Sequence, residues 1–179
     1  MREIRLWPRG GLWRHPDFLK LWSAETISQF GSQITGLALP LVAILVLDAS
    51  AFAVALLGTI EFLPFILFTL PAGVWVDRLR RRPILIAGDF GRAILLATIP
   101  AAYVADLLTI WQLYAVGFLF GICTVFFDVA YMSYLPSLVA RDQIIDGNSK
   151  LEISRSAAQV GGPWLSGGLV QVLTAPYAV

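Results

Sequence analysis

Apolar residues gather into five long runs, at 18–47, 52–76, 83–105, 110–139 and 151–173, separated by short polar joins. Each run is long enough to cross a bilayer once. An α-helix rises about 1.5 Å per residue, so a hydrocarbon core about 30 Å thick takes roughly 20 residues. The first and fourth runs exceed that length and have room to tilt or bend. A helix on the surface of a water-soluble protein carries an apolar stripe opposite charged residues, whereas segment 34–47 shows no polar face. The pattern predicts an all-α, polytopic transmembrane helical bundle. Gly31, Gly36, Pro40, Gly58, Pro64, Pro71, Gly91 and Pro100 fall inside the runs. Membrane helices tolerate them because neighbouring helices satisfy the backbone groups they free.

The joins alternate in charge. Asp48 lies between runs one and two and Asp106 between three and four, neither with any Lys or Arg. Arg2, Arg5, Arg9, Arg14 and Lys20 precede or open the first run. Arg78, Arg80, Arg81 and Arg82 join the second to the third, and Arg141, Lys150 and Arg155 lie around the join of the fourth and fifth. Lys and Arg collect in cytoplasmic loops. The expected topology therefore puts residues 1–17 and both arginine-bearing joins in the cytoplasm, with a multi-pass body in the cell membrane and a fifth helix that exits outward.

Composition agrees with that picture and narrows the chemistry. Of 179 residues 58% are apolar and 14% charged, against about 25% charged in an ordinary soluble domain. A net charge of +1 supplies no basic field for nucleic acid. Cys123 is the single cysteine, so neither a disulfide nor a thiolate metal site can form within the chain. His15 is the single histidine, and no H-E-x-x-H, G-x-S-x-G or G-x-x-x-x-G-K-[ST] pattern occurs. These absences argue against a membrane-embedded enzyme and a built-in ATPase, and no metal or cofactor is expected. Ala49-Ser50-Ala51 resembles a leader cleavage site, but the run before it is too long for a signal peptide and further spanning runs follow.

Glu25, Glu61, Asp89, Arg92 and Asp128 fall well inside the runs. A charge near the bilayer centre costs at least about 2.5 to 3.5 kcal/mol, so these side chains should face the protein interior or a wet cavity. Asp89 and Arg92, three residues apart, share one helix face and can pair, either as structural neutralisation or as part of a pathway. Glu61 sits mid-run beside Pro64 with no basic residue at i±4, a candidate for a protonatable coupling site or for a helix-packing group. Glu25 lies in a stripe with Thr26, Ser28 and Gln29, where it either lines a cavity or snorkels to the interface. Asp128 is flanked by Phe126, Phe127, Tyr131 and Tyr134, a setting that suits a hydrophobic cation and equally an interfacial aromatic belt.

The second run ends in Gly73-Val74-Trp75-Val76-Asp77-Arg78-Leu79-Arg80-Arg81-Arg82. This resembles the G-x-x-x-D-R-x-G-R-R signature between helices 2 and 3 of major facilitator superfamily transporters. Gly73, Asp77, Arg78, Arg81 and Arg82 match, and Arg80 stands where the signature has its second glycine. The resemblance implies a cytoplasmic gate whose carboxylate docks near another helix's N-terminus, which carries partial positive charge, and whose arginines pair across the interface between two half-transporters. In the fifth run, Gly162-Pro163-Trp164-Leu165-Ser166-Gly167 looks like the G-P-x-x-G-G antiporter motif of exporters in that superfamily, with Ser166 in place of one glycine. Ala158, Gly162 and Ser166 form a small-residue ridge at four-residue spacing suited to close helix approach, and Pro163 can bend the helix.

Further stretches resemble a drug- and siderophore-export branch that includes macrolide-efflux proteins and the enterobactin exporter: Phe18-Leu19-Lys20-Leu21-Trp22 with Ser28 and Gly31, Asp89 with Arg92, and Tyr134-Leu135-Pro136-Ser137-Leu138-Val139 followed by Gly147-Asn148-Ser149. The arginine that many proton-coupled drug exporters carry early in helix 4 is missing, since 110–124 holds no basic residue. The resemblance implies a secondary transporter that exports small amphipathic molecules with protons as the coupling ion. Complete members have twelve helices in two related halves, with the substrate site between them. About five of twelve are expected here: 18–173 as the first five helices, 174–179 as the start of a truncated sixth, and the C-terminal half missing. A truncated, non-transporting membrane fragment is the alternative.

Overall fold

The computed structural model of the protein describes residues 12–173, with side chains as far as 168. A 3₁₀ turn (Leu12–Arg14) leads into α1 (Pro16–Leu45), α2 (Ala51–Arg78), α3 (Arg81–Val104) and α4 (Ile110–Leu138); a second turn (Arg141–Gln143) opens α5 (Ile144–Leu173). No strand occurs among the described residues. The all-α bundle expected from hydropathy is the fold, and α1 to α4 match their apolar runs to within two residues. Residues 1–11 of the expected cytoplasmic segment, and the sixth helix expected to open at 174–179, lie outside the described residues.

The helix ends have local causes. His15 Nδ1, Ser50 Oγ and Thr109 Oγ1 accept hydrogen bonds from the backbone N–H groups of Phe18, Ala53 and Gln112, capping α1, α2 and α4. After α1 and α3 the chain reverses through left-handed residues, Asp48 at φ 47° and Asp106 at φ 54°. Aspartate tolerates that region better than most side chains, so the two acidic joins are also turn chemistry.

The fifth helix departs from its expectation. It begins at Ile144, seven residues before the apolar run at 151, and its first turns carry Asp146, Lys150, Glu152 and Arg155. Among the described residues, α1 to α4 are long and apolar enough to cross a membrane, and α5 has the length without the composition. The reason is local: the expected boundary followed hydropathy, whereas Glu152 and Arg155 line a cavity and Lys150 lies over the Trp13 ring. Lys150 and Arg155 therefore sit one to three turns inside a helix and not in the join.

Packing follows two groupings. Helix α4 packs against α2 and α3, while α1 packs chiefly on α5, and few contacts cross between the groups. Two apolar clusters close the ends. Near the arginine-bearing joins, Leu12, Phe18, Val76, Leu85, Phe127, Leu135 and Leu151 cluster; near the acidic turns, Leu39, Val42, Leu57, Ile99, Leu113 and Tyr114 do. Leu12 is fully buried and packs near Leu135 and Gly147, so the start of α1, the end of α4 and the start of α5 share one end of the bundle. Large side chains such as Leu70 (84% exposed) and Phe52 (78%) stand outward, a surface that in a membrane meets lipid and not water.

Candidate functional site

Between the apolar clusters lies a polar layer built around Arg92. Arg92 is 6% exposed. Its Nη2 donates to Asp89 Oδ1 at 2.5 Å and to Ser28 Oγ at 2.7 Å, and Nη1 reaches Ser32 Oγ at 3.5 Å. Ser28 Oγ in turn donates to Asp89 Oδ1 at 3.1 Å. The Phe127 ring covers the guanidinium at 4.3 Å, a cation–π contact strengthened by desolvation. Asp89 and Arg92 of α3 thus pair across one helical turn and also grip α1, from which Ser28 and Ser32 project one turn apart. The network joins the two packing groups at membrane depth.

Beside it opens a cavity of about 680 Å³ lined from α1, α3, α4 and α5, with Glu25, Gln29, Ser32, Arg92, Asp128 and Arg155 on its wall. Glu25 is 4% exposed, so it lines the cavity and does not snorkel to the interface; the stripe it shares with Gln29 turns inward, and Gln29 Nε2 donates to its Oε1 at 2.7 Å. Its Oε2 is buried without a hydrogen-bond partner. Asp128 faces the same space from α4, with Tyr131 beside it. Neither carboxyl forms an ion pair among the described residues, because Arg92 is engaged by Asp89. The cavity therefore holds Glu25, Asp128 and Glu152 together with Arg92 and Arg155, with neither Glu25 nor Asp128 in an ion pair.

Glu61 occupies a second, more apolar cavity of about 260 Å³, with Thr35 and Leu39 of α1, Phe62 and Phe65 of α2, and Phe120 of α4. Its Oε1 is buried without a partner. Two glycines make this position possible. A Cβ at Gly117 would stand 2.9 Å from Glu61 Cγ, and one at Gly121 would stand 2.7 Å from the Glu61 carbonyl oxygen and 2.8 Å from Pro64 Cγ. Only a missing side chain lets α4 approach α2 this closely. The sequence reading missed these glycines, although Gly117 and Gly121 stand at the four-residue spacing that marks close helix contact in membranes.

The signature residues of 73–82 are placed differently from a loop. Asp77 and Arg78 form the last turn of α2, Arg81 and Arg82 the first turn of α3, and only Leu79 and Arg80 intervene. Asp77, Arg78, Arg80 and Arg82 are exposed, and none enters the three ion pairs among the described residues. Arg81 Nε is buried without a partner, and a Cβ at Gly73 would meet nothing within 4 Å. In α5, Ala158, Gly162 and Ser166 are buried against α1: a Cβ at Gly162 would overlap Gln33, and Ser166 Oγ donates to the Ile34 carbonyl at 3.4 Å. Pro163 and Gly167 lie on the opposite, open face with Trp164. No group of three or more His, Cys, Asp or Glu side chains suited to a metal occurs among the described residues.

Long apolar helices enclosing a charged layer with a cavity beside it define a multi-pass membrane protein with an internal polar site. The sequence model of the Major Facilitator Superfamily matches residues 21–179, and the chain belongs to that superfamily. It is 30% identical over 152 residues to the "Uncharacterized MFS-type transporter YfiS" of Bacillus subtilis (strain 168), an alignment covering 85% of this chain and 35% of that protein. The chain thus spans about a third of that relative's length. No solved structure gives a significant match. Membership points to transport rather than catalysis.

Proposed function

We propose that the chain is the N-terminal part of a secondary transporter that exports small amphipathic molecules in exchange for protons. In this reading it sits in the cell membrane with its N-terminus and arginine-bearing joins in the cytoplasm, and works against a second set of helices that completes the substrate site. The observation that carries it is the 680 Å³ cavity at membrane depth whose wall holds Glu25 and Asp128, neither of them in an ion pair. Ionisable groups are expensive in a membrane and mark ion or substrate paths. Carboxyls that take up and release a proton as the cavity changes sides supply a coupling device without a cofactor, and the neighbouring aromatic rings suit the apolar part of a substrate.

The exposed Asp77 and arginines support a gating role by their lack of partners: they are presented to something outside these five helices. Open faces at Gly73 and at Pro163 to Gly168 fit close approach by another helix. The test is proton-linked efflux of an amphipathic dye from vesicles carrying the complete transporter. Asp77→Asn should insert normally and lose most efflux. Unchanged efflux removes the gate, and an inserted complete protein that moves no dye removes the exporter reading and leaves the non-transporting alternative.

A further inference from the structure

Three cavities lie in series along one face of α1. The first, of about 280 Å³, opens at the arginine-rich end beside Asp17, Lys20 and Arg82 and reaches inward to Glu25 and Asp89. Glu25 also lines the 680 Å³ cavity, and Ser32 and Thr124 are shared between that cavity and the 260 Å³ space around Glu61. On α1 the polar residues that border them fall at 17, 20, 25, 29, 32 and 35, a three- to five-residue spacing that follows one helix face. From Asp17 to Thr35 it rises about 27 Å, most of the way across a hydrocarbon core.

We propose that this tract is a proton path, contained within one five-helix unit, that connects the arginine-rich face to Glu61. The proposal rests on the proton-coupled reading above and assigns its route. Each space is many times the size needed by a water molecule, which also needs polar partners. The walls supply them: Thr35 and Thr124 donate to their own helices' carbonyls, leaving lone pairs to accept. Glu25 is the partition between the first two cavities. Gln29 holds its Oε1, and its Oε2 is free to take a proton from one side and pass it to the other.

The proton then crosses the central cavity and is taken up at Glu61 Oε1. Only O–H bonds form and break, and one positive charge moves. The charged groups facing the route are Asp17, Lys20 and Arg82 at the mouth, Asp89 with Arg92 beside Glu25, and Asp128, Glu152 and Arg155 across the central cavity. The α1 and α4 side chains around Glu61 carry none. Because Asp89 neutralises Arg92, the guanidinium beside Ser28 and Ser32 sets no net positive barrier on the route.

The test uses the 179-residue chain in lipid vesicles, with Cys123→Ser as background and a small, charged, membrane-impermeant thiol reagent supplied to one face at a time. Ser32→Cys and Thr35→Cys should react from the arginine-rich face, while Ile27→Cys, 73% exposed on the outer surface of α1, should not. Neither Ser32→Cys nor Thr35→Cys reacting overturns the path. A second measurement follows protonation of the Glu61 carboxyl by time-resolved infrared difference spectroscopy after a pH step on that face, the band being identified by its loss in Glu61→Gln. Glu25→Gln should slow it by about a hundredfold and leave the final protonated fraction unchanged. Equal rates in wild type and Glu25→Gln overturn the relay. Labelling needs no transport: a labelled path without efflux counts against the transporter reading alone, and efflux with unreactive cysteines counts against the path alone.

Discussion

Arg92 and Asp89 are joined by a short hydrogen bond but differ in their surroundings: the arginine side chain is 8% exposed and the aspartate 39%. Removing either partner leaves the other, and what is left decides the cost. Asp89→Leu strands a buried guanidinium with two serines and an aromatic face, a loss of about 3 kcal/mol. Arg92→Leu strands a carboxylate that water reaches and that keeps its bond from Ser28, so about 1 kcal/mol is expected. Unfolding titrations in mild detergent should rank them in that order, and equal losses would show that the pair is hydrated as a unit. The pairing itself was legible in the sequence, since i and i+3 share a helix face. Its hold on Ser28 and Ser32 was not, because no spacing rule links residues 60 positions apart. For the same reason Glu25 looked as fit for the interface as for the interior until α4 placed Asp128 opposite it.

At the scale of helices, hydropathy located α1 to α4 well because each is apolar enough to be recognised by length alone. It misjudged α5, whose early turns spend their polar residues on other helices and a cavity, so that no change in hydropathy marks the start at Ile144. Seams between helices were less legible than the helices. At α2–α4 the backbone is close enough that Gly121→Ala places a methyl against the Glu61 carbonyl and Pro64, and a loss of about 1 to 3 kcal/mol is expected from overpacking. Gly73→Ala, with open space around it, should instead gain up to about 1 kcal/mol from helix propensity. Thermal unfolding of the two variants separates these signs. A loss at Gly73→Ala would mean that its surroundings are filled when the chain is in the membrane.

The whole molecule has two unlike ends, one collecting Arg78, Arg80, Arg81, Arg82 and Arg141, the other turning on Asp48 and Asp106. Leu79 and Leu107 are both well exposed and stand at the two ends. With Cys123→Ser as background, Leu79→Cys and Leu107→Cys should react with an impermeant reagent from opposite faces of the vesicle. Reaction from the same face would break the alternating order of the helices. That order was readable from charge alone, because arginine placement and turn chemistry both follow the chain's direction of travel. The division into an α1–α5 pair and an α2–α3–α4 group was not readable, since apolar content counted along the chain says nothing of which helices pack together.

That division has a consequence for how the protein is made. About 100 residues separate the end of α1 from the start of α5, and a ribosome adds about 5 to 20 residues per second. For roughly 5 to 20 s, then, α1 waits with Gln33, and with the Glu25 and Gln29 wall of the cavity, turned toward a partner that has not yet been synthesised. Hydrocarbon is a poor host for such a face, so the insertion machinery must shelter α1 until α5 arrives.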